Sequence, residues 1–268
     1  MPNSILLTLM HGMGILTLLT TASANAASVD LEWQRLGSGS DENFAVSDSW
    51  SLTGEHQALL FSAEQRLYHF SQNSSIYTHI NPGVQYLASL NDEWSLWPSL
   101  RVRLGFRDSI NSQAITYNPQ FALIRQGKGN IAWVGGVGML LHDTENVLYP
   151  VIGLVFTEED ASRWSGNLTI PQAKISYRLN DTWYLDAGLK WQTRFYSQQD
   201  SNVPVIKHQD ILPSFGVRYA LADEVSFSAQ VTYSLEREVR LYDQSQQRVA
   251  TLEPASKAGL MVGVHWVF

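Results

Sequence analysis

The chain has 268 residues, 44% of them hydrophobic and 11% aromatic, a net charge of −7 and no cysteine. Without cysteine there are no disulfides or thiolate metal sites, and an acidic balance of 25 Asp and Glu against 18 Lys and Arg gives no reason to expect nucleic acid or an anionic surface as a partner. Beyond residue 26 no stretch approaches ~18 consecutive apolar residues, so a transmembrane helix is excluded.

Residues 1–26 read as an export signal. Ile5 to Leu19 is mostly apolar, and Ala24-Asn25-Ala26 is a small-x-small cleavage site ahead of Ala27, although no charged residue precedes the apolar run. The remainder suits one β domain. In residues 27–56, Val29, Leu31 and Trp33 alternate before Gly37-Ser38-Gly39-Ser40-Asp41 breaks the pattern, which predicts an N-terminal strand or periplasmic arm and then a polar loop. From Gln57 to Phe268 the alternation is nearly continuous, and this stretch is the expected barrel.

Three runs carry the clearest signal. From Trp94 to Phe106, the set Trp94, Leu96, Pro98, Leu100, Val102, Leu104 and Phe106 opposes Ser95, Trp97, Ser99, Arg101, Arg103 and Gly105. Trp183 to Phe195 and Val225 to Leu235 repeat the pattern. A period of two over about 11–13 residues exceeds the usual globular strand of ~5–6 and matches the ~9–11 that a tilted strand needs to cross a bilayer. Near-copies of one short turn open these strands: Leu90-Asn91-Asp92-Glu93-Trp94, Leu179-Asn180-Asp181-Thr182-Trp183 and Leu221-Ala222-Asp223-Glu224-Val225. Longer polar stretches at 197–208 and 242–254 predict loops on the opposite side, the asymmetry of an outer-membrane barrel. Trp94, Trp164, Trp183 and Trp266 then belong to a periplasmic aromatic girdle.

Eleven segments are legible, but two turns on one side require an even number of strands between them, and five lie between residues 91–93 and 180–182. Splitting 164–179 at Pro171 resolves this and predicts about twelve antiparallel strands in an all-β, up-and-down transmembrane barrel, with ten to fourteen allowed. Ile131 to Leu141 and Val147 to Phe156 are apolar on both faces, so their inner faces pack either on something inside the barrel, such as the N-terminal arm, or on one another in a narrowed barrel. The closing strand ends Gly263-Val264-His265-Trp266-Val267-Phe268.

With the export signal, the repeated Leu-x-Asp turns and this ending, the chain resembles a Gram-negative outer-membrane β-barrel protein. Gly263, Trp266 and Phe268 are similar to the C-terminal signal read by the barrel-assembly machinery, although Met261 stands where that signal usually has a polar residue. The segment Trp164 to Trp183 and the Gly-rich 131–157 region resemble an uncharacterised family of barrel domains of unknown function. The resemblance implies residence in the outer membrane and contact with its lipid and the assembly machinery; its motifs are structural and specify no activity.

Chemistry is sparse. Tyr77-Thr78-His79-Ile80-Asn81-Pro82-Gly83 is similar in outline to the motif of outer-membrane phospholipase, but Asn81 replaces the nucleophilic serine, which removes the acyl-enzyme route. No metal-ligand spacing and no cofactor motif is present, and an enzyme is not expected. The alternation instead points Arg101, Arg103, Lys174, Arg178, Asp186, Lys190, Arg194, Asp210, Arg218, Glu236, Glu238 and Lys257 into the lumen. Charges of both signs in a narrow barrel must be paired or hydrated. The expectation is a narrow passive channel for small polar or anionic solutes or a salt-bridged structural barrel; a lipid-modifying enzyme of the phospholipase or lipid A deacylase type and a loop-mediated interaction protein are the alternatives.

Overall fold

The computed structural model describes residues 26–36, 43–53, 57–70, 73–127, 131–156, 163–199 and 202–267; the expected export signal up to Asn25 and the terminal Phe268 lie outside these residues. Strands run β1 (Ala26–Leu36), β2 (Asn43–Thr53), β3 (Gln57–Phe70), β4 (Asn73–Tyr86), β5 (Ala88–Ser89) and β6 (Trp94–Phe106). They continue through β7 (Ile115–Gln126), β8 (Ile131–Leu141), β9 (Asn146–Phe156), β10 (Trp164–Thr169), β11 (Gln172–Arg178) and β12 (Trp183–Ser197). The last are β13 (Val205–Ala220), β14 (Val225–Tyr233), β15 (Glu236–Tyr242), β16 (Arg248–Leu252) and β17 (Ala258–Val267).

All seventeen segments form one sheet, and β1 pairs antiparallel with both β2 and β17, so the sheet closes into a barrel. Three breaks interrupt a stave without ending it. β4 and β5 both lie on β6, β14 and β15 both lie on β13, and β16 and β17 continue one another along β15 and β14. Seventeen segments with three such interruptions make fourteen staves. Splitting at Pro171 holds: β10 and β11 are a hairpin turning at Ile170-Pro171, which puts six strands between the two turns. About twelve strands were expected with ten to fourteen allowed, and the described staves reach the upper bound: β1 is the expected N-terminal strand, and β2 (Asn43–Thr53) is a further stave within the stretch expected as a polar loop. Leu31 is exposed on the outer face of β1 and Gln34 is buried on the inner one, so three apolar residues sufficed to set the faces.

The outer wall carries exposed large apolar residues, among them Leu100, Phe121, Leu148, Ile152, Phe215 and Val231. Trp94, Trp164, Trp183 and Trp266 are exposed beside the turns at one rim, with the Trp164 ring tilted against Tyr177 and the Trp183 ring tilted against Tyr219. Inside β7, β8 and β9, Ala122, Val134, Leu140, Tyr149 and Val151 pack together with Trp97 and Trp191. The two-faced apolar region thus fills its own side of the lumen, with the N-terminal strands in the wall.

Two departures from a regular cylinder position the site. The β10–β11 hairpin reaches only part way up: β10 pairs with β9 from Gly153 to Phe156, and β11 with β12 up to Lys190. Above it β12 leaves the wall and crosses the lumen to β6, where Ser197 bridges Phe106 in parallel. β13 stays paired with β12 along its whole length, and β15 and β16 extend the same sheet. Of the stretches expected as loops, 197–208 and 242–254, the described residues 198–199, 202–204, 243–247 and 253–254 are turns or irregular, while 205–208 and 248–252 are strand and belong to an inward-folded tongue. Their polar residues alternate as sheet residues do, and the bend comes where Tyr233, Ser234 and Leu235 oppose only Leu212 and Pro213.

Candidate functional site

The tongue is seated by backbone first. The N–H of Arg107 donates to the Ser197 carbonyl at 2.9 Å, and Arg103 Nη1 donates to the Thr193 carbonyl at 3.3 Å. Gly105 makes the seat possible, because a Cβ at this position would lie 1.8 Å from the Phe195 carbonyl oxygen. No side chain larger than hydrogen fits there without moving one strand.

Each face of the tongue meets the barrel through charge. On the lumen side, Arg194 donates from Nε to Glu64 Oε2 at 2.9 Å and from Nη2 to Oε1 at 3.2 Å, while Arg66 Nε donates to Glu64 Oε1 at 2.6 Å. Arg194 also lies 3.6 Å from Asp210, which His208 approaches at the same distance. Arg66, Arg194, His208 and Asp210 are all at most 6% exposed. Tyr196 adds an aromatic contact with Tyr77, ring centroids 5.0 Å apart.

On the opposite face the β8–β9 turn reaches in. Lys207 Nζ donates to Glu145 Oε1 at 2.7 Å, Arg240 Nη1 to both carboxylate oxygens at 2.9 and 3.0 Å, and Tyr242 Oη to Oε2 at 2.6 Å. His142 stacks on Phe195 at 4.1 Å. Burial pushes the Glu145 carboxyl up, but hydrogen bonds from Lys207, Tyr242 and Arg240 and the charge of Lys207 outweigh it and hold the group at about 2.

Toward the tryptophan-lined rim the lumen is wetter. Asp186, 1% exposed, accepts from Ser176 Oγ at 2.6 Å and from Arg218 Nε at 3.2 Å, and pairs with Lys174 at 3.2 Å. Lys174 remains half exposed, Lys190 lies 3.6 Å from Glu32, and Arg218 caps the Tyr184 ring at 4.1 Å. Arg178 faces the same vestibule opposite Tyr184, and His265 pairs with Asp30 at 2.6 Å near the rim.

The predicted inward charges thus divide. Lys174, Arg178, Asp186, Lys190 and Arg218 line the vestibule; Arg101, packed over Gly83, and Arg103, bonded to Asn118, line β6; Arg194 and Asp210 belong to the tongue. Glu238 lies on the tongue's other face. The three-against-two bulge reverses the alternation beyond Leu235, so Arg237 lies opposite Asp210 and Glu238 turns to Arg240 on the other face. Lys257 sits in the break before β17, its carbonyl accepting from Ser234 N–H, and the Glu236 side chain lies outside the described residues. Glu64 and Arg66 escaped the sequence reading although they share the inner face of β3 with Ser62. Lys207, Glu145, Arg240 and Arg237 carried no usable signal, because their contacts exist only once the tongue folds in.

His79 points inward, 5% exposed, beside Tyr196, and Asn81 Nδ2 donates to Ser62 Oγ at 2.9 Å. Among the described residues no group of three or more His, Asp or Glu could hold a metal ion.

Residues 57–265 match the family described as Domain of unknown function (DUF6268). No curated protein matches the chain in sequence. Among solved structures, the NanC porin is similar at a TM-score of 0.48 and 10% identity, over 89% of this chain and 98% of that one. An outer membrane channel from Pseudomonas putida F1 gives 0.44 and 10%, over 92% and 97%. An active-site mutant of outer membrane phospholipase A from Escherichia coli gives 0.40 and 13%, over 92% of each. Likenesses this distant say nothing of activity.

Proposed function

The chain belongs to the DUF6268 family, and from that premise we propose that it is an integral outer-membrane barrel acting as a gated, narrow conduit for small polar or anionic solutes. Membrane residence is supported by the outer face: Leu148 is 68% exposed and Phe215 60%, in a band too apolar and too continuous for a monomer in water. The closing strand, with Gly263 opposite Glu32 and Trp266 exposed, presents the end that the assembly machinery would read.

The observation that carries the gate is that the tongue is clamped by one ionic cluster on each face, Glu64–Arg194 and Glu145–Lys207–Arg240, beside the apolar packing of Tyr77 on Tyr196, Ile206 and Val239. Ionic contacts exchange with water and with a passing charged solute far more readily than an apolar seal does. Below the gate, Lys174, Arg178, Lys190 and Arg218 against Asp30, Glu32 and Asp186 give the vestibule a slight cationic excess.

Planar-bilayer recording tests this reading. Wild-type protein is expected to open rarely and briefly, passing chloride in preference to potassium, with the preference reduced in Lys174→Ala/Lys190→Ala. A tightly packed mouth also favours a purely structural barrel. That reading replaces the conduit if neither wild-type protein nor a variant with the tongue unseated conducts.

A further inference from the structure

Above the β10–β11 hairpin the wall lacks a strand. On β9 the Ile152 carbonyl accepts from Ile170 N–H at 3.0 Å, and on β12 the Trp191 N–H donates to the Pro171 carbonyl at 2.9 Å. Backbone groups on one edge of a strand recur every second residue. The β9 edge therefore continues through Pro150, Leu148 and Asn146, and among the described residues no strand pairs with it there. The β12 edge continues through Thr193, Phe195 and Ser197, and it is turned inward onto β6. An open strand edge facing hydrocarbon leaves backbone groups without water or partner, and membrane barrels avoid it by closing.

We infer that the upper half of β12 has a second seat, in the wall, antiparallel on the free edge of β9, and that moving there completes the wall and clears the lumen. This rests on the gated-conduit reading and supplies its mechanism. Lengths agree, since Asn146–Val151 on β9 and Gln192–Ser197 on β12 are both six residues. Direction agrees, since β9 runs toward the tryptophan rim and β12 away from it. Faces agree too. If the register places Ile152 opposite Trp191, then Pro150 meets Thr193 and Leu148 meets Phe195 on the lipid side, while Tyr149 meets Arg194 and Val147 meets Tyr196 on the lumen side.

Two further observations support a second seat. Trp191, Thr193 and Phe195 extend the outward set Trp183, Leu185 and Leu189, yet in the tongue Phe195 is 2% exposed and Thr193 7%. The tongue seat is also imperfect: both Asp210 carboxylate oxygens and Ser197 Oγ are buried without a hydrogen bond. Pro150 balances the two seats. It has no N–H to orphan when the edge is empty, and it leaves the ladder one bond short when the edge is filled. The bulge at 233–235 and the break at 253–257 allow β13, β15 and β16 to travel with β12.

The chain has no cysteine, so paired cysteines read the two seats cleanly. Phe106→Cys/Ser197→Cys locks the tongue, and Leu148→Cys/Phe195→Cys locks the wall seat. Each is purified, reduced and checked for heat-dependent gel mobility, then oxidised and assayed for intramolecular crosslinking and for conductance; Pro150→Cys/Thr193→Cys replaces the wall pair if that pair misfolds. Both pairs are expected to crosslink, the tongue pair lowering open time at least about tenfold and the wall pair holding the channel open, each reversed by reductant. The inference is overturned if the tongue pair crosslinks fully while no wall pair does, or if Leu148→Cys alone forms a dimer, which would assign the edge to a second copy. Absence of conductance in every preparation would instead remove the conduit reading, because the crosslink yields report the seats independently of transport.

Discussion

β12 carries one alternating pattern with two outcomes. In its lower half Trp183 and Leu189 are exposed outward at 42% and 43%, and Asp186 is buried inward, as a lipid-facing stave requires. In its upper half the same alternation continues, yet Phe195, Tyr196 and Ser197 are all at most 2% exposed. What differs is the neighbour. The lower half has β11 beside it as far as Lys190; the upper half has only the empty space above the hairpin, and it takes β6 across the lumen instead. Alternation specifies which side chains share a face. It does not specify which strand lies alongside.

The largest expected effect comes from Gly105→Ala. The added methyl strikes the Phe195 carbonyl in the tongue but no required partner in the wall, so the upper half of β12 should unseat while the lower half stays as it is. Recordings should change from rare openings to sustained conductance, with heat-dependent mobility unchanged. Arg194→Ala should come next. It leaves Glu64 short of a partner and Asp210 buried without its guanidinium, and breaking a buried pair from one side costs about 3–5 kcal/mol. Open probability should rise by more than tenfold, and Arg194→Lys should restore only part of the closure because the forked contact to Glu64 is lost.

Glu145→Gln acts on the partly exposed cluster and should have a smaller effect, about 1 kcal/mol or a several-fold rise in open probability. Its pH counterpart follows from the sign of the shift. Glu145 titrates near 2 in the folded protein against an ordinary 4.5, so its contribution to closure is present above about 4.5 and is lost as pH falls toward 2. Open probability should be flat from pH 7 to 5 and climb below that, and the Gln variant should lose this climb. Smallest of all, Trp183→Ala in the lower half removes the 4.9 Å contact with Tyr219. Such pairs contribute about 0.5–1.5 kcal/mol, so the unfolding temperature should fall by a few degrees while conductance is unchanged.

Much of the barrel was legible. Long alternating runs located the staves from β3 to β17, and a parity argument on two turns found the hairpin at Pro171 before any geometry did. β1 was legible as an N-terminal strand from Val29, Leu31 and Trp33, but β2 was missed, because a Gly-Ser-rich sequence such as 37–41 does not say whether a strand follows it. The candidate site was less legible. Arg103, Arg194 and Asp210 were named from alternation alone. Which face of the tongue Glu238 takes was not legible, because a bulge adds one residue without a sequence mark strong enough to fix its position. Glu145 and Lys207 lie 62 residues apart and meet only because the tongue folds over; nothing local in either segment encodes that encounter.

The central claim is that Ser197 lies inside the barrel mouth under a folded sheet, and thiol labelling tests it most directly. In lipid vesicles, Ser197→Cys and Ser245→Cys would each be exposed to a polar, membrane-impermeant maleimide. Ser245 lies in an exposed turn at the tongue's tip, whereas Ser197 is 0% exposed. Labelling of Ser197→Cys is expected to be slower by about a hundredfold, set by transient opening of the tongue, and to accelerate when Gly105→Ala is added. Equal rates at the two positions in the otherwise unaltered protein would contradict the account, because they would make residues 197–208 an ordinary external loop.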